Sequence, residues 1–185
     1  MSKTTSQTRR ETILRAAYDA FAKYGFRRTS MDDIAKAAGV SRPALYQSFA
    51  NKGEIFRALI EAHLGHVETE LSWHIGQGKP LREMLTDMVE SAVIDPHRLL
   101  QGMAHGEELL GVKAEVCPDL FDRWEEQLRD LFRDALGRHM GEQEAAARAA
   151  VLSLSITGLK AKLLDADAMA KEVAHVIAVV SQQAS

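Results

Sequence analysis

The chain has 185 residues, a formal net charge of -3 at pH 7, and only 4 prolines and 1 cysteine. The single cysteine excludes an internal disulfide and a site of four thiolates, which is typical of a protein of the reducing cytoplasm. The sequence contains neither a long apolar run nor an apolar N-terminal segment, which argues against a membrane span and against export, so we expect a cytoplasmic protein.

Charge is unevenly distributed along the chain. Residues 1–60 contain 11 Lys and Arg against 5 Asp and Glu, a balance of +6, whereas residues 61–185 contain 12 against 21, a balance of -9. A basic segment joined to an acidic one indicates that the first 60 residues meet a polyanion.

The sequence predicts an all-α fold, because Ala and Leu are abundant and no alternating β-branched segments occur. Helix 1 is predicted from a capping box that begins at Thr8 to a glycine turn at Gly25. Helix 2 follows an N-cap at Ser30 and ends at Gly39, and helix 3 follows an N-cap at Ser41. All three helices lie in the basic segment.

The rest of the chain is predicted to form six more helices. Helix 4 begins at a capping box of Asn51 and Glu54 and ends near Trp73 or Ile75. Apolar residues at helical spacing then predict helix 5 at about 81–92, helix 6 from Asp95 and Pro96 to about 110, helix 7 from Pro118 to about 137, helix 8 from Glu142 to Leu164, and helix 9 around the stripe from Met169 to Val180. The prediction is therefore about nine helices.

Helices 2 and 3 have the proportions of a helix-turn-helix. Ala35 is small where the two helices cross, Gly39 allows the positive φ of a tight turn, and Ile34, Val40 and Leu45 are predicted to point inward. Two short helices joined by a glycine also occur in helical proteins that bind no DNA. The spacing and the basic charge together favour DNA binding.

The outward face of helix 3 is predicted to read bases in a major groove. There, Arg42 could bind a guanine edge and Gln47 an adenine edge, while Pro43 and Ala44 could contact a thymine methyl. Phosphates are expected at the amides that begin helices 2, 3 and 4, and at the polar groups of Ser30, Ser41, Tyr46 and Lys52.

Residues 9–56 resemble the DNA-binding domain of the tetracycline-repressor (TetR) family of transcriptional regulators, through the segments "TSMDDIA", "AGVS" and "LYQSFANK". The resemblance implies a DNA-binding domain at 1–50 and an effector-binding and dimerisation domain at 51–185. It implies a homodimer through helices 8 and 9, about 142–183, and a repressor that a small molecule releases from DNA. It also implies phosphate contacts from Thr29, Ser41, Tyr46 and Lys52, and base contacts from Arg42, Pro43, Ala44 and Gln47.

Two positions depart from the commonest family pattern. Ser48 stands where an aromatic residue or His is frequent, and Gly53 stands where Glu is frequent. In a dimer, two copies of helix 3 about 34 Å apart would read a palindromic operator.

The C-terminal part is expected to hold an apolar effector pocket among helices 4 to 7. Seven residues are candidates for its lining: Trp73, Met84, Met88, Met103, His105, Phe121 and Trp124. The same residue types at helical spacing also occur in an ordinary core. Helix 6 is the candidate moving part, because Gly102 and Gly106 lower its helicity.

Other functions remain open from the sequence. The C-terminal part could recruit a protein partner and hold no ligand, or the chain could be a metal or redox sensor built on His63 and His66 or on Cys117. The pair of histidines has no third ligand that the sequence places, so we expect no metal and no other cofactor. Because no nucleophile elbow, phosphate-binding glycine loop or HExxH motif occurs, we expect no enzyme activity.

Overall fold

The computed structural model describes residues 2–162 and 165–182, with side chains from Gln7 onward. The described residues form helices and no strands, which confirms the all-α prediction. Counting Leu81–Gly102 as one helix, they form nine: α1 (Ser2–Tyr24), α2 (Met31–Ala38), α3 (Arg42–Ser48), α4 (Lys52–Gly76), α5 (Leu81–Val89, Glu90–Ile94 and Asp95–Gly102), α6 (Gly106–Val116), α7 (Pro118–Gly137), α8 (Glu142–Ala161) and α9 (Ala166–Val180). The start of the predicted domain at Met1, the predicted end of helix 8 at Leu164 and the end of the dimerisation segment at 183 lie outside the described residues.

Along the described chain, no helix combines the length and apolar character needed to cross a bilayer. The described residues fall into two compact units, one drawn from Met1–His63 and Gly102–Pro118 and the other from Leu64–Gln101 and Asp119–Ser185. These units are defined by contacts along the backbone and not by function. The functional domains 1–50 and 51–185 stay a prediction.

The first unit has its own core. α1 packs on α2, and α2 packs on α3. Three rings, those of Phe21, Phe26 and Phe56, lie with centroids 5.2 to 6.0 Å apart. The same unit also contains these fully or nearly buried side chains: Ile13, Ala17, Ile34, Leu45, Phe49, Ile55, Val112 and Cys117.

Helix α1 begins at Ser2, so the prediction of a helix start at Thr8 is wrong. The Thr8 carbonyl instead accepts a hydrogen bond from the Thr12 hydroxyl at 2.9 Å, as occurs inside a helix. The end at Gly25, with φ of 82°, is as predicted.

The second unit is built around a larger core. α9 packs on α8 and on α5. Its buried residues come from α4, α5, α7, α8 and α9, and the largest of them are Leu71, Met84, Leu85, Met88, Ile94, Phe132, Leu136 and Leu152. Four of the five residues in the stripe predicted for helix 9, Met169, Val173, Ile177 and Val180, are at most 3% exposed here, and the fifth, Val176, is half-buried.

The predicted helix start at Asp95 and Pro96 is wrong. Helix α5 continues through these residues by way of a π-helical segment, Glu90–Ile94, in which the Asp95 amide bonds to the Glu90 carbonyl. Pro96 has no amide to donate, and its ring would clash with the carbonyl four residues earlier in a regular α-helix. A widened π turn before the proline removes this conflict. The hydrogen bonds change locally from the α to the π pattern, and the helix continues past the proline.

The true break lies at residues 103–105, between α5 and α6. The Gly106 amide bonds to the Met103 carbonyl at 3.1 Å and closes this turn. Residues 111–116, expected as a connection, are helical. Gly106 stands in the first turn of α6, where a glycine weakens the helix less than it would in the middle.

Candidate nucleic-acid interface

Helix α2 begins with the predicted cap, in the form of a complete capping box. The Ser30 hydroxyl accepts the Asp33 amide at 3.2 Å, and the Asp33 carboxylate accepts the Ser30 hydroxyl at 2.6 Å and the Ser30 amide at 2.9 Å. Hydrogen bonds from the Ser30 hydroxyl and amide lower the pKa of Asp33. A phosphate contact by the Ser30 hydroxyl would therefore compete with this cap.

The turn between α2 and α3 follows the sequence prediction. Gly39 has φ of 66°, and the Val40 amide bonds back to the Ala35 carbonyl at 3.0 Å. The Ser41 hydroxyl caps α3 by accepting the Ala44 amide at 3.3 Å. Ile34, Ala35 and Leu45 are buried and fix the packing of the two helices, and Val40 is half-buried.

Helix α3 presents its polar face to solvent. Arg42, Pro43 and Gln47 are exposed, and Ala44 is half-buried. Tyr46 and Ser41 are exposed at the edges of the same face. These side chains are therefore available to a DNA groove, although their contacts with DNA stay a prediction.

The sequence did not reveal how Arg42 is held. Its Nη1 lies 3.0 Å from Oδ2 of Asp32, in the first turn of α2, and its guanidinium carbon lies 5.6 Å from the centre of the Tyr46 ring. At the other end of α3, Arg10 likewise combines a polar contact with a contact to an aromatic ring. Its Nη1 donates to the Ser48 carbonyl at 3.4 Å, and its guanidinium stacks at 4.3 Å over the ring of the buried Phe49. No sequence signal connects these pairs, because each needs the packing of helices.

Two further expected phosphate ligands, Thr29 and Lys52, also have internal partners in the structure. Thr29 is only 2% exposed, and its hydroxyl donates to the Gly25 carbonyl at 2.7 Å. The Lys52 ammonium donates to the carbonyls of Phe26, Arg27 and Thr29 at 2.8, 3.1 and 3.0 Å. An ammonium has three N–H donors, so all of them are used. In this structure Thr29 and Lys52 therefore hold the turn between α1 and α2, and their contacts with phosphates stay a prediction.

The start of α4 also matches the sequence prediction. The Asn51 side chain accepts the Glu54 amide at 3.0 Å, and the Glu54 carboxylate accepts the Ala50 amide at 2.8 Å. Gly53 lies beside this cap, and a Cβ built there would lie 3.0 Å from the Asn51 side-chain oxygen. Ser48, the other departure from the family pattern, donates its hydroxyl to the Ala44 carbonyl at 3.2 Å.

Helix α6 belongs to the same compact unit and contacts the turn that Lys52 holds. One carboxylate oxygen of Glu108 accepts the Arg27 amide at 2.7 Å, and the other lies 3.7 Å from Nδ1 of His105. Gly25 faces this carboxylate so closely that a Cβ there would lie 2.4 Å from Glu108 Oε2. Arg27 and Glu108 are 81 positions apart in the chain, so no sequence pattern predicts their contact.

The predicted pocket residues lie in several environments. Met84, Met88 and Trp124 are buried in the core of the second unit, and Phe121 is half-buried. Trp73 is 57% exposed, which does not fit a place in the lining of an apolar cavity. Met103 and His105 fall in the first unit, at the break between α5 and α6. These seven residues therefore have different environments within their own units, and a shared pocket lining stays a prediction.

The residues considered for sensing have ordinary surroundings. His63 and His66 are exposed on α4. Within the part of the chain that the structure describes, no three His, Cys, Asp or Glu side chains are grouped to hold a metal ion. Cys117 is buried at the end of α6, and its thiol donates to the Lys113 carbonyl at 3.5 Å.

Comparison with known proteins identifies the family of the helix-turn-helix region, residues 13–59, which we call the head. A family model of bacterial regulatory proteins, the tetR family, matches residues 13–59. The chain is 34% identical over 143 residues to the HTH-type transcriptional regulator AcrR from Shigella flexneri, in a match that covers 69% of this chain and 66% of AcrR. The chain thus spans just under two thirds of the length of that relative.

Solved structures share the fold. A transcriptional regulator from Rhodococcus sp. Rha1 matches with a TM-score of 0.67 at 22% identity, covering 92% of this chain and 95% of that one. SmeT, the repressor of the Stenotrophomonas maltophilia multidrug efflux pump SmeDEF, matches in its complex with triclosan with a TM-score of 0.65 at 20% identity, covering 93% of this chain and 91% of that one.

AcrR is named as a transcriptional regulator, in agreement with the expectation that the chain is not an enzyme. The matched residues 13–59 contain the helix-turn-helix and its caps. The helix-turn-helix region of this chain, residues 13–59, belongs to the TetR family of bacterial regulatory proteins.

Proposed function

We propose that the protein is a dimeric transcriptional repressor that binds a palindromic DNA operator through α3 and leaves it when a small molecule binds its C-terminal part. The observation that carries the proposal is the capped helix-turn-helix with Arg42, Pro43 and Gln47 exposed on one face. The match of residues 13–59 to the tetR family supports the same function.

Electrostatics supports DNA as the partner of this face. The first 60 residues carry a balance of +6, and Arg27, Arg28 and Lys36 are exposed near the helix-turn-helix. Cations at phosphates release counterions, so we expect affinity to fall steeply as salt rises. The amides that begin α3 and α4 add donors for phosphates, together with the hydroxyls of Ser41 and Tyr46.

Exposed apolar side chains on α8 and α9 support the dimer. Val151 and Leu154 are 51% and 72% exposed on α8, and Val179 is 64% exposed on α9. Large apolar side chains that are exposed to water favour burial against another surface. A second copy of the same helices would form a four-helix interface that covers these three side chains.

The identity of the effector is a separate part of the proposal. SmeT is named in a complex with triclosan, which supports a small molecule as the effector here as well. We infer that the break at residues 103–105 gives α6 the freedom to respond. Through Glu108, such a movement would reach the turn at Arg27 in the DNA-binding head.

A mobility-shift assay with the region upstream of the protein's own gene tests this function. We expect a sequence-specific complex that competitor DNA of random sequence does not remove, and its loss when the correct ligand is added from a panel of small apolar molecules. If neither this region nor a pool of random duplexes yields a specific site, the protein is not the DNA-binding repressor that we propose.

A second candidate function keeps the DNA-binding head but uses the C-terminal part to recruit a protein. The dense packing of Met84, Met88 and Trp124 favours it, because these three expected lining residues fill the core of the second unit. Calorimetry separates the two functions. A ligand that binds at one site per chain and weakens the DNA complex supports the repressor, whereas a DNA complex that no member of the panel weakens supports the recruiting protein.

A further inference from the structure

We propose that Asp32 is a specificity-determining residue, because it positions the Arg42 guanidinium to read a guanine edge. This inference rests on the proposed DNA-binding function and adds a second side chain to base recognition. Asp32 lies on α2, outside the face of α3 that the sequence marks for base contacts.

The geometry restrains Arg42 from two sides. Its Nη1 lies 3.0 Å from Asp32 Oδ2, and its guanidinium carbon lies 5.6 Å from the centre of the Tyr46 ring. The side chains of Arg42 and Asp32 are 64% and 59% exposed, so neither contact is enforced by burial. The ion pair and the cation–π contact therefore select one orientation of a long side chain that would otherwise sample many rotamers.

The remaining donors of Arg42 suit a guanine. A guanidinium carries five N–H groups, and the contact with Asp32 uses one of them at Nη1. The rest of the fork keeps enough donors for the O6 and N7 acceptors that guanine presents in the major groove. Because Asp32 already orders the fork, less conformational entropy is lost when the bidentate contact forms.

The negative charge of Asp32 also supports a role in base discrimination. Its neighbour Asp33 is accounted for by the capping box with Ser30, whereas Asp32 contributes to no such box. A carboxylate near DNA repels the phosphates of every sequence equally. Its positioning effect helps only where a guanine meets Arg42, so Asp32 increases the difference between the right and the wrong base pair.

The test uses the full-length protein and the best site selected from a random duplex pool. Affinities for this site and for each of its single-base-pair variants are measured by fluorescence anisotropy. The proteins are the wild type, Arg42→Ala, Asp32→Asn and the double variant. Asp19→Asn is the control, because it removes the same charge from an exposed position on α1.

We expect Arg42→Ala to identify the base pair at which discrimination is lost. At that base pair, Asp32→Asn should reduce the discrimination of the wild type about two- to five-fold, the range expected from one exposed ion pair. The other base pairs should be read as before, and affinity for random DNA should not fall. The double variant should match Arg42→Ala, and Asp19→Asn should match the wild type.

The inference is overturned if Asp32→Asn discriminates at that base pair as well as the wild type, or if it weakens binding to all sequences equally. It also fails if Arg42→Ala relaxes no base pair, or if Asp19→Asn reproduces the effect. In each of these cases the wild type still binds its site, so the proposed function stands. If the wild type selects no site, both the proposed DNA-binding function and the role of Asp32 are refuted. Thermal unfolding identifies a misfolded variant, in which case Asp32→Ser is measured instead.

Discussion

The Lys52 ammonium lies 2.8 Å from the Phe26 carbonyl oxygen and 4.6 Å from the centre of the Phe26 ring. The same ammonium also bonds to the Arg27 and Thr29 carbonyls. This one cation therefore satisfies three backbone acceptors in the turn between α1 and α2. We therefore expect Lys52 to stabilise this turn.

Replacing Lys52 with Met should destabilise the first unit by about 1–3 kcal/mol, because charged hydrogen bonds to three carbonyls are lost. Urea unfolding monitored by circular dichroism measures this change. Lys36→Met, at an exposed position of α2, is the control and should change stability little. If Lys52 instead bound a phosphate, its loss would leave stability intact and lower the salt dependence of DNA binding by about one counterion.

Glu108→Ala should release the Arg27 amide, because the carboxylate that accepts it at 2.7 Å is removed. Hydrogen exchange at the Arg27 amide should become faster, and stability should fall by about 1–2 kcal/mol. Glu107→Ala, at the exposed neighbouring position, is the matched control. Unchanged exchange at Arg27 in Glu108→Ala would show that this contact does not form in solution.

Gly25→Ala and Gly39→Ala form a matched pair for the close approach of α6. Both glycines have positive φ, 82° and 66°, so alanine is strained at each by about 1 kcal/mol. Only at Gly25 would the new Cβ meet Glu108 Oε2, at 2.4 Å, whereas no atom lies within 4 Å at Gly39. We therefore expect Gly25→Ala to be the more destabilising in urea unfolding, and Glu108→Ala to reduce the difference. Equal losses at the two glycines would contradict the contact.

The capping box predicts a pH dependence for α2. Hydrogen bonds from Ser30 lower the pKa of Asp33, so the folded head binds this proton less readily than the unfolded chain does. The cap therefore contributes stability above the ordinary aspartate pKa of about 4, and this contribution is lost as pH falls through the lower folded value. The difference in unfolding midpoint between the wild type and Asp33→Asn should be constant near neutral pH and shrink below about pH 4. A difference that persists at lower pH would argue against the cap.

The exposed side chains of Val151 and Leu154 on α8 predict that a charge at Leu154 disrupts the dimer. Leu154→Glu should convert the dimer to a monomer, because a carboxylate would be buried in the interface without a partner. Light scattering at micromolar concentration should then give the mass of one chain, 20.4 kDa. Leu99→Glu, at another exposed leucine of the second unit, should remain a dimer. A wild type that already has the monomer mass would refute the dimer.

The sequence predicted those parts of the fold that depend on neighbouring residues. The caps at Ser30, Ser41 and Asn51 and the turn at Gly39 all have short-range causes, and the structure shows each of them. The outward face of α3 also follows from helical spacing alone. The helix-turn-helix from Ser30 to Ser48 was therefore predictable almost to the residue.

Contacts between distant residues were not predictable in this way. Lys52 is 26 residues from Phe26, and Glu108 is 81 residues from Arg27, so only the packing of helices brings them together. A lysine at a helix start near a basic segment suggested a phosphate contact, because the sequence does not show the carbonyls that it meets.

The π segment before Pro96 was missed for a different reason. The pair of Asp95 and Pro96 suits a helix start, but it is also tolerated within a helix that widens by one residue.

The effector part was the least predictable. Met84, Met88 and Trp124 have the apolar character of a pocket lining, and the same character places them in the core. Exposure separates Trp73 from them, and exposure depends on the tertiary packing. Residue type alone could not distinguish a cavity wall from a packed interior.

The measurement that tests the central claim most directly is the affinity of the wild type and of Arg42→Ala for the selected operator and its single-base-pair variants. If α3 reads bases in a dimer, Arg42→Ala should relax discrimination at two base pairs related by the centre of a palindrome, at a cost of about 1–3 kcal/mol per contact. Loss of affinity by the same factor on every sequence would instead make Arg42 a phosphate ligand and would contradict base reading by this face.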